Sequence, residues 1–310
     1  MRVLDVFLYE LSHFKKNTAK IITYLIFIFA SLYSIYNGFD LYHKQQDTIL
    51  NIEKENTKKI KQIANWFNNV SIQPDALDVL GFIPNYTIKH PSPLMVLGIG
   101  QAEQYGYYKK ITNWSSTYDN DMVEEIANPE RLVNGNIDFS FLVIFLLPIL
   151  LIILTYNIKG FEQDNNFDKL IKVQFGSMSK WVFTRFIFYV LLLIATVVFF
   201  IFCVAIINNA VSSHLLEIGS LIFLLTAYIF SFAMIFYFLI IQSHGSSSIA
   251  FKMMSAWLIL CVINPGSVHQ FASIRYPVNY MTDYLDSNRK QTYEVFELST
   301  DSLHARFSTI

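Results

Sequence analysis

The chain has 310 residues, of which 53% are hydrophobic, 16% aromatic and only 15% charged, with a net charge of −1. Soluble domains carry about 25% charged residues, so a soluble enzyme, a DNA-binding protein and a disordered chain are excluded. Five stretches hold no Asp, Glu, Lys or Arg: Ile21–Phe39, Phe139–Ile158, Phe186–Leu216, Ile218–Phe251 and Met253–Ile274. Each is close to or longer than the roughly 20 residues that cross the hydrocarbon core as a helix. The expected fold is an all-α polytopic membrane protein with five transmembrane helices.

Residues 1–20 place Leu4, Phe7, Leu8, Leu11 and Phe14 at helical spacing, with the charged residues on the other face. That pattern predicts an amphipathic interfacial helix before the first span. No small-x-small cleavage pattern follows the apolar run, so the first span, residues 21–38, reads as uncleaved. The next segment, 39–138, begins as a helical continuation without Gly or Pro up to Asn68, then turns loop-rich after Pro74. Further spans are expected at 139–157, 181–206, 217–241 and 250–264. The connector 158–180 and the final segment 265–310 complete the division.

Sidedness follows from the short loops, because a loop as long as 39–138 crosses largely regardless of its charge. Lys159–Arg185 holds five basic residues and Ile206–Glu217 none. The N-terminus and residues 158–180 are therefore expected in the cytoplasm, with 39–138 and 265–310 outside. Seventeen Lys against six Arg, with abundant Ile, Phe, Asn and Tyr, hint at an AT-rich coding sequence, and so at a bacterial inner membrane.

Catalytic patterns are missing. The chain has no GxxxxGK[ST], HExxH, GxSxG or paired CxxC, and its seven histidines show no metal-ligand spacing. No cofactor, metal site or nucleic-acid partner is expected. Cys203 and Cys261 read as small buried hydrophobes. Glu124, Glu125 and Arg131 read as a solvated charged run, and Asn85 and Asn113 head chance sequons. The spans themselves hold essentially no ionisable residue, which argues against a proton-coupled transporter and a charged-ring channel.

One connector stands out. In Lys159–Gly176, Phe167, Leu170, Ile171 and Gln174 share one helical face, while Asp164, Asp168, Lys169 and Lys172 cover the rest. The pattern predicts a short amphipathic helix. It suits either a connector on the lipid surface or a docking helix whose apolar anchors enter a groove on a cytoplasmic partner.

The arrangement resembles the type-two export permeases of ABC transporters. Glu162, Leu170 and Lys180 can be laid on that family's pattern of a Glu, a Gly-Thr-Leu element, a Leu-rich turn and a basic residue entering span three. Asn166-Phe167 stands where the family has Gly-Thr. A narrower resemblance, covering most of the chain, is to a permease branch whose domain carries only an unknown-function label and which travels with an ABC ATPase. It rests on His90–Gln101, Asn128-Pro129, Gly135–Pro148 and Trp257–Pro265.

The resemblance implies a non-enzymatic transmembrane subunit, set among membrane lipid. It would pair with a second permease, the same or homologous, and with ABC ATPase subunits that hydrolyse ATP. Glu162, Asp164, Phe167, Leu170 and Ile171 would be its ATPase-coupling residues. Family members usually have six spans, so the five seen here lead to the expectation that 265–310 runs on towards a sixth. The competing reading is a membrane-anchored sensor or scaffold that binds through 39–138. An intramembrane hydrolase is the weakest alternative, since Ser220 and Ser231 have no His or Asp beside them in the sequence.

Overall fold

The computed structural model describes residues 3–68, 85–100, 106–111, 137–276 and 289–290. Glu124, Glu125, Arg131, the Asn113 sequon and Asn128-Pro129 lie outside these residues, as does most of the segment after Tyr276.

Helix α1, Val3–Lys16, stops one residue before α2, Thr18–Asn68. Asn17 makes the break. Its side-chain oxygen accepts the Lys20 backbone N–H at 3.1 Å, so Asn17 caps the second helix. α2 runs for 51 residues, about 75 Å at 1.5 Å per residue. That is more than twice the thickness of the hydrocarbon core. Along its apolar half, Ile22, Ile26, Phe29, Tyr33 and Tyr36 are exposed, whereas Phe27, Ser31, Ser34 and Ile35 are buried. The apolar stripe at spacings of three and four thus faces outward, as on a helix whose outer solvent is lipid. The buried hydroxyls turn back onto their own helix, Ser31 onto Phe27 O and Ser34 onto Ser31 O.

Four more apolar helices follow: α3, Phe139–Asp164; α5, Met178–Ile207; α6, Leu215–Gln242; and α7, Ser246–Arg275. With α2 they make five helices long and apolar enough to cross a membrane. The chain is a mostly helical, multi-pass membrane protein. A short helix, α4 (Asp168–Phe175), joins α3 to α5.

Two of the spans depart from regular helix for an identifiable reason. In α3 a π-helical turn, Leu142–Leu146, precedes Pro148. Proline has no N–H for the carbonyl four residues back, here that of Ile144. The Tyr228 hydroxyl of α6 donates to that oxygen at 2.5 Å. Beside it, the Trp257 indole N–H of α7 donates to Phe145 O at 3.1 Å. A backbone opened by proline is thus closed by neighbouring helices, as a low-dielectric surrounding requires. In α7 a second π-helical turn, Ile259–Ile263, likewise stands ahead of Pro265.

The chain divides into two units, Met1–Cys261 and Val262–Ile310. In the second, helix Asn264–Arg275 buries no residue, and Val268, Phe271 and Ile274 are exposed. In the first, the core is drawn from one face of each helix: Phe27 and Ile35, Leu147 and Leu151, Leu193 and Val197, Phe232 and Phe236.

The segment between α2 and α3 supplies a two-stranded antiparallel sheet, β1 (Asn85–Ile88) with β2 (Tyr108–Ile111), in which Asn85 faces Ile111. These are strands that the sequence reading did not anticipate. A single 3₁₀ turn, Met95–Leu97, buries Val96 and Leu97. It sits so close to α2 that a Cβ on Gly38 would meet Val96 O at 2.3 Å. Ser140 donates to Leu97 O at 2.9 Å and Asn208 to Pro93 O at 2.6 Å. This turn and the residues before it therefore tie the middle of α2 to the start of α3 and the end of α5.

Candidate functional site

At the opposite end of these helices, four charged side chains meet out of contact with solvent. Glu10, Lys20, Glu162 and Arg185 are 0%, 3%, 7% and 4% exposed. They come from four elements: α1, the first turn of α2, the end of α3, and α5. Arg185 is the centre. Its Nε donates to Glu10 at 2.5 Å, and its Nη1 donates to Glu162 at 2.8 Å. Lys20 donates to the Tyr189 hydroxyl at 3.0 Å, and that hydroxyl donates to the other Glu10 oxygen at 2.6 Å. The guanidinium also lies 5.6 Å from the Tyr9 ring centroid and 5.5 Å from that of Trp181, within cation–π range.

Two carboxylates balance two cations, which is the condition for burying charge at tolerable cost. Burial alone would raise the Glu10 carboxyl. Arg185, with its charge and hydrogen bond, the Tyr189 hydroxyl and Lys20 together outweigh it and hold Glu10 below the usual carboxylate range. His13, one turn along, is pushed down by burial and by Lys20 and Arg185, against the pull of Glu10.

Of this cluster only Arg185 falls within a span expected from the sequence; Glu10, Lys20 and Glu162 stand outside the runs 21–38 and 139–157. The charge-free runs are bounded by Lys20 and Arg185, and both of these long side chains turn inward to partners. In α1 the acid Glu10 stands off the apolar stripe, as the spacing predicts, but it faces protein rather than water. Val6 and Glu10 are buried, whereas Leu4, Leu8 and Leu11 are exposed, so the apolar stripe faces outward and one acid faces the bundle.

The residues singled out for coupling separate into two groups. The segment 159–176 is not one helix. Asn166 has φ +59°, and α3 ends two residues before it. The Phe167 N–H then bonds Glu162 O at 2.8 Å, closing the turn. Glu162 faces inward to Arg185. Asp164 accepts from Ser246 N and Oγ, at 3.3 and 2.6 Å, and so sits at the first turn of α7, where a carboxylate suits the helix dipole. Ile171 is 9% exposed and belongs to the core. Phe167 and Leu170 point outward, joined by Val173, which is 85% exposed. These three, at spacings of three, form an apolar stripe on the outer face of α4.

Around them the end of α3 is sewn to the turn between α6 and α7. Lys159 donates to Ile241 O and Ser243 O at 2.5 and 2.7 Å, capping the last carbonyls of α6. A Cβ on Gly160 would lie 2.4 Å from Ser246 Cα, so only glycine permits this approach.

Sequence reasoning missed Glu10, Lys20, Arg185 and Tyr189 as a set. The available signal was a basic residue directly abutting an apolar run, twice, with an acid on the neighbouring helix. Among the described residues, no three His, Cys, Asp or Glu side chains stand together to hold a metal ion. No family profile, curated protein or solved structure matches the chain.

Proposed function

We propose that this chain is the permease subunit of an ATP-driven ABC exporter, set in a bacterial inner membrane with its N-terminus in the cytoplasm. A second permease would complete the pathway, and separate ATPase subunits would hydrolyse the nucleotide. The observation that carries the reading is the apolar stripe Phe167–Leu170–Val173, exposed on a short helix between the second and third spans. Such a stripe suits a groove on a partner, since three apolar anchors at helical spacing are the usual means of helix docking.

Motion imposed on α4 would reach the bundle through its neighbours. Glu162, at the end of α3, and Glu10, on α1, share Arg185 of α5, so a shift of one redistributes charge contacts among three elements. Asp164 and Lys159 would carry the same shift to α6 and α7. The long extension of α2 beyond the apolar region, with the β1–β2 sheet, would form the extracytoplasmic part that meets cargo or a periplasmic partner.

The test is co-purification from native membranes with the double substitution Leu170→Asp, Val173→Asp. The unaltered chain is expected to bring down an ATPase bearing a nucleotide-binding GxxxxGK[ST] motif, and the double variant to lose it while inserting normally. An ATPase retained by the variant, or none with the unaltered chain, would refute the proposal.

A further inference from the structure

A cavity of about 510 Å³ opens beside the turn between α4 and α5, lined by Gln174, Phe175, Ser179, Lys180, Phe183 and Tyr237 among others. Ser179 and Lys180 belong to the first turn of the α5 span, and Tyr237 lies near the end of the α6 span. Both ends mark the level at which a helix passes from headgroups into hydrocarbon, where aromatic and basic side chains gather.

The lining combines polar groups, from Gln174, Ser179, Lys180 and Thr184, with the aromatic rings of Phe175, Phe183 and Tyr237. Phe183 and Tyr237 meet edge to face with centroids 5.4 Å apart. The Tyr237 hydroxyl donates to Ser179 O at 3.4 Å. Phe183 is half exposed, so the apolar wall is open rather than filled by protein.

Charge points the same way. Lys20 and Lys159 have hydrogen-bond acceptors and Arg185 has two carboxylates. Among the described residues, no acceptor takes the Lys180 ammonium, and no acidic side chain lines the cavity. A cation beside an aromatic wall, at the edge of a span, has the chemistry of an amphiphile with an anionic head.

We propose that this cavity binds an anionic phospholipid of the surrounding leaflet. Lys180 holds the phosphate, and Phe183 and Tyr237 take the upper part of an acyl chain. A free anion would satisfy Lys180 but leave that wall bare, which is why a lipid is the chosen occupant. The inference does not rest on the permease reading.

Native mass spectrometry of the delipidated, detergent-solubilised chain tests it, by titration with phosphatidylglycerol, phosphatidylcholine or inorganic phosphate. A single phosphatidylglycerol is expected to bind in preference to phosphatidylcholine. Lys180→Gln should weaken it about fivefold, as loss of one basic residue at a membrane surface does. Lys180→Arg should retain it. Lys169→Gln, exposed on α4 and outside the cavity lining, should leave it unchanged. Phe183→Ala should weaken both lipids alike. Circular dichroism checks that each variant is folded. Equal binding by the Lys180→Gln variant, equal uptake of the two lipids, or displacement of the lipid by inorganic phosphate at matched concentration would each overturn the proposal.

Discussion

Around Arg185, two carboxylates and two cations meet with almost no exposed surface, and removing one leaves the others unbalanced. Arg185→Met would strand Glu10 and Glu162 as buried acids without their shared partner, at a cost of about 3–5 kcal/mol. Adding Glu10→Gln and Glu162→Gln to that variant should restore much of the loss, because the repulsive charges go with the cation. Thermal melting in detergent measures both. The same assay has a pH signature. Glu10 is held below its unfolded range, so the stability it lends is complete above the unfolded value, about pH 4. That stability drains as pH falls through the lower folded value. Glu10→Gln should flatten the decline in this acid window. A decline of the same size in the variant would mean that other carboxylates carry it.

The helices hold their irregular turns by lending side chains to one another, and the first π-helical turn of α3 is where this can be measured. Pro148 has no N–H to offer Ile144 O, and Tyr228 supplies a donor from α6. Tyr228→Phe should therefore cost about 1–3 kcal/mol, the penalty of a carbonyl left unsatisfied where no water can replace its partner. Pro148→Ala returns an N–H to the helix, so the same tyrosine substitution should cost less in that background. A double-mutant cycle on melting temperature reads the difference, and equal costs in both backgrounds would mean that the proline is not what Tyr228 answers. The connector 159–176 carries a related lesson. Its helical periodicity is visible in sequence, but the break at Asn166 splits the anchors, sending Ile171 to the core and leaving Phe167, Leu170 and Val173 outside.

For the molecule as a whole, the two ends of the spans differ in kind. One carries the charge cluster, α4 and the α6–α7 turn; the other carries the Met95–Leu97 turn and the long extension of α2. The bias of basic residues predicts that the first end faces the cytoplasm. In a chain with Cys203 and Cys261 replaced by Ala, a cysteine at Thr57 should react with an impermeant thiol reagent in intact cells. One at Val173, which is highly exposed, should react only after the membrane is opened. The opposite labelling would reverse the orientation, and with it the docking role of α4.

Five charge-free runs were enough to read a polytopic helical membrane protein, because the cost of charge in hydrocarbon is paid residue by residue along the chain. The break at Asn17 and the continuation of α2 through residues 39–68 are likewise local, set by a capping side chain and by the absence of Gly and Pro from that stretch. The direction in which each charge points was not legible. Glu10 and Arg185 are 175 residues apart, and whether Glu10 meets water or Arg185 depends on which face of α1 the other helices cover. Nor could periodicity tell a stripe facing lipid from one facing the core, since the two solvents are equally apolar. Only tertiary packing separates Ile171 from Leu170, and opens a cavity in front of Lys180 while closing one around Lys20. Those choices are made by residues distant in sequence competing for the same space.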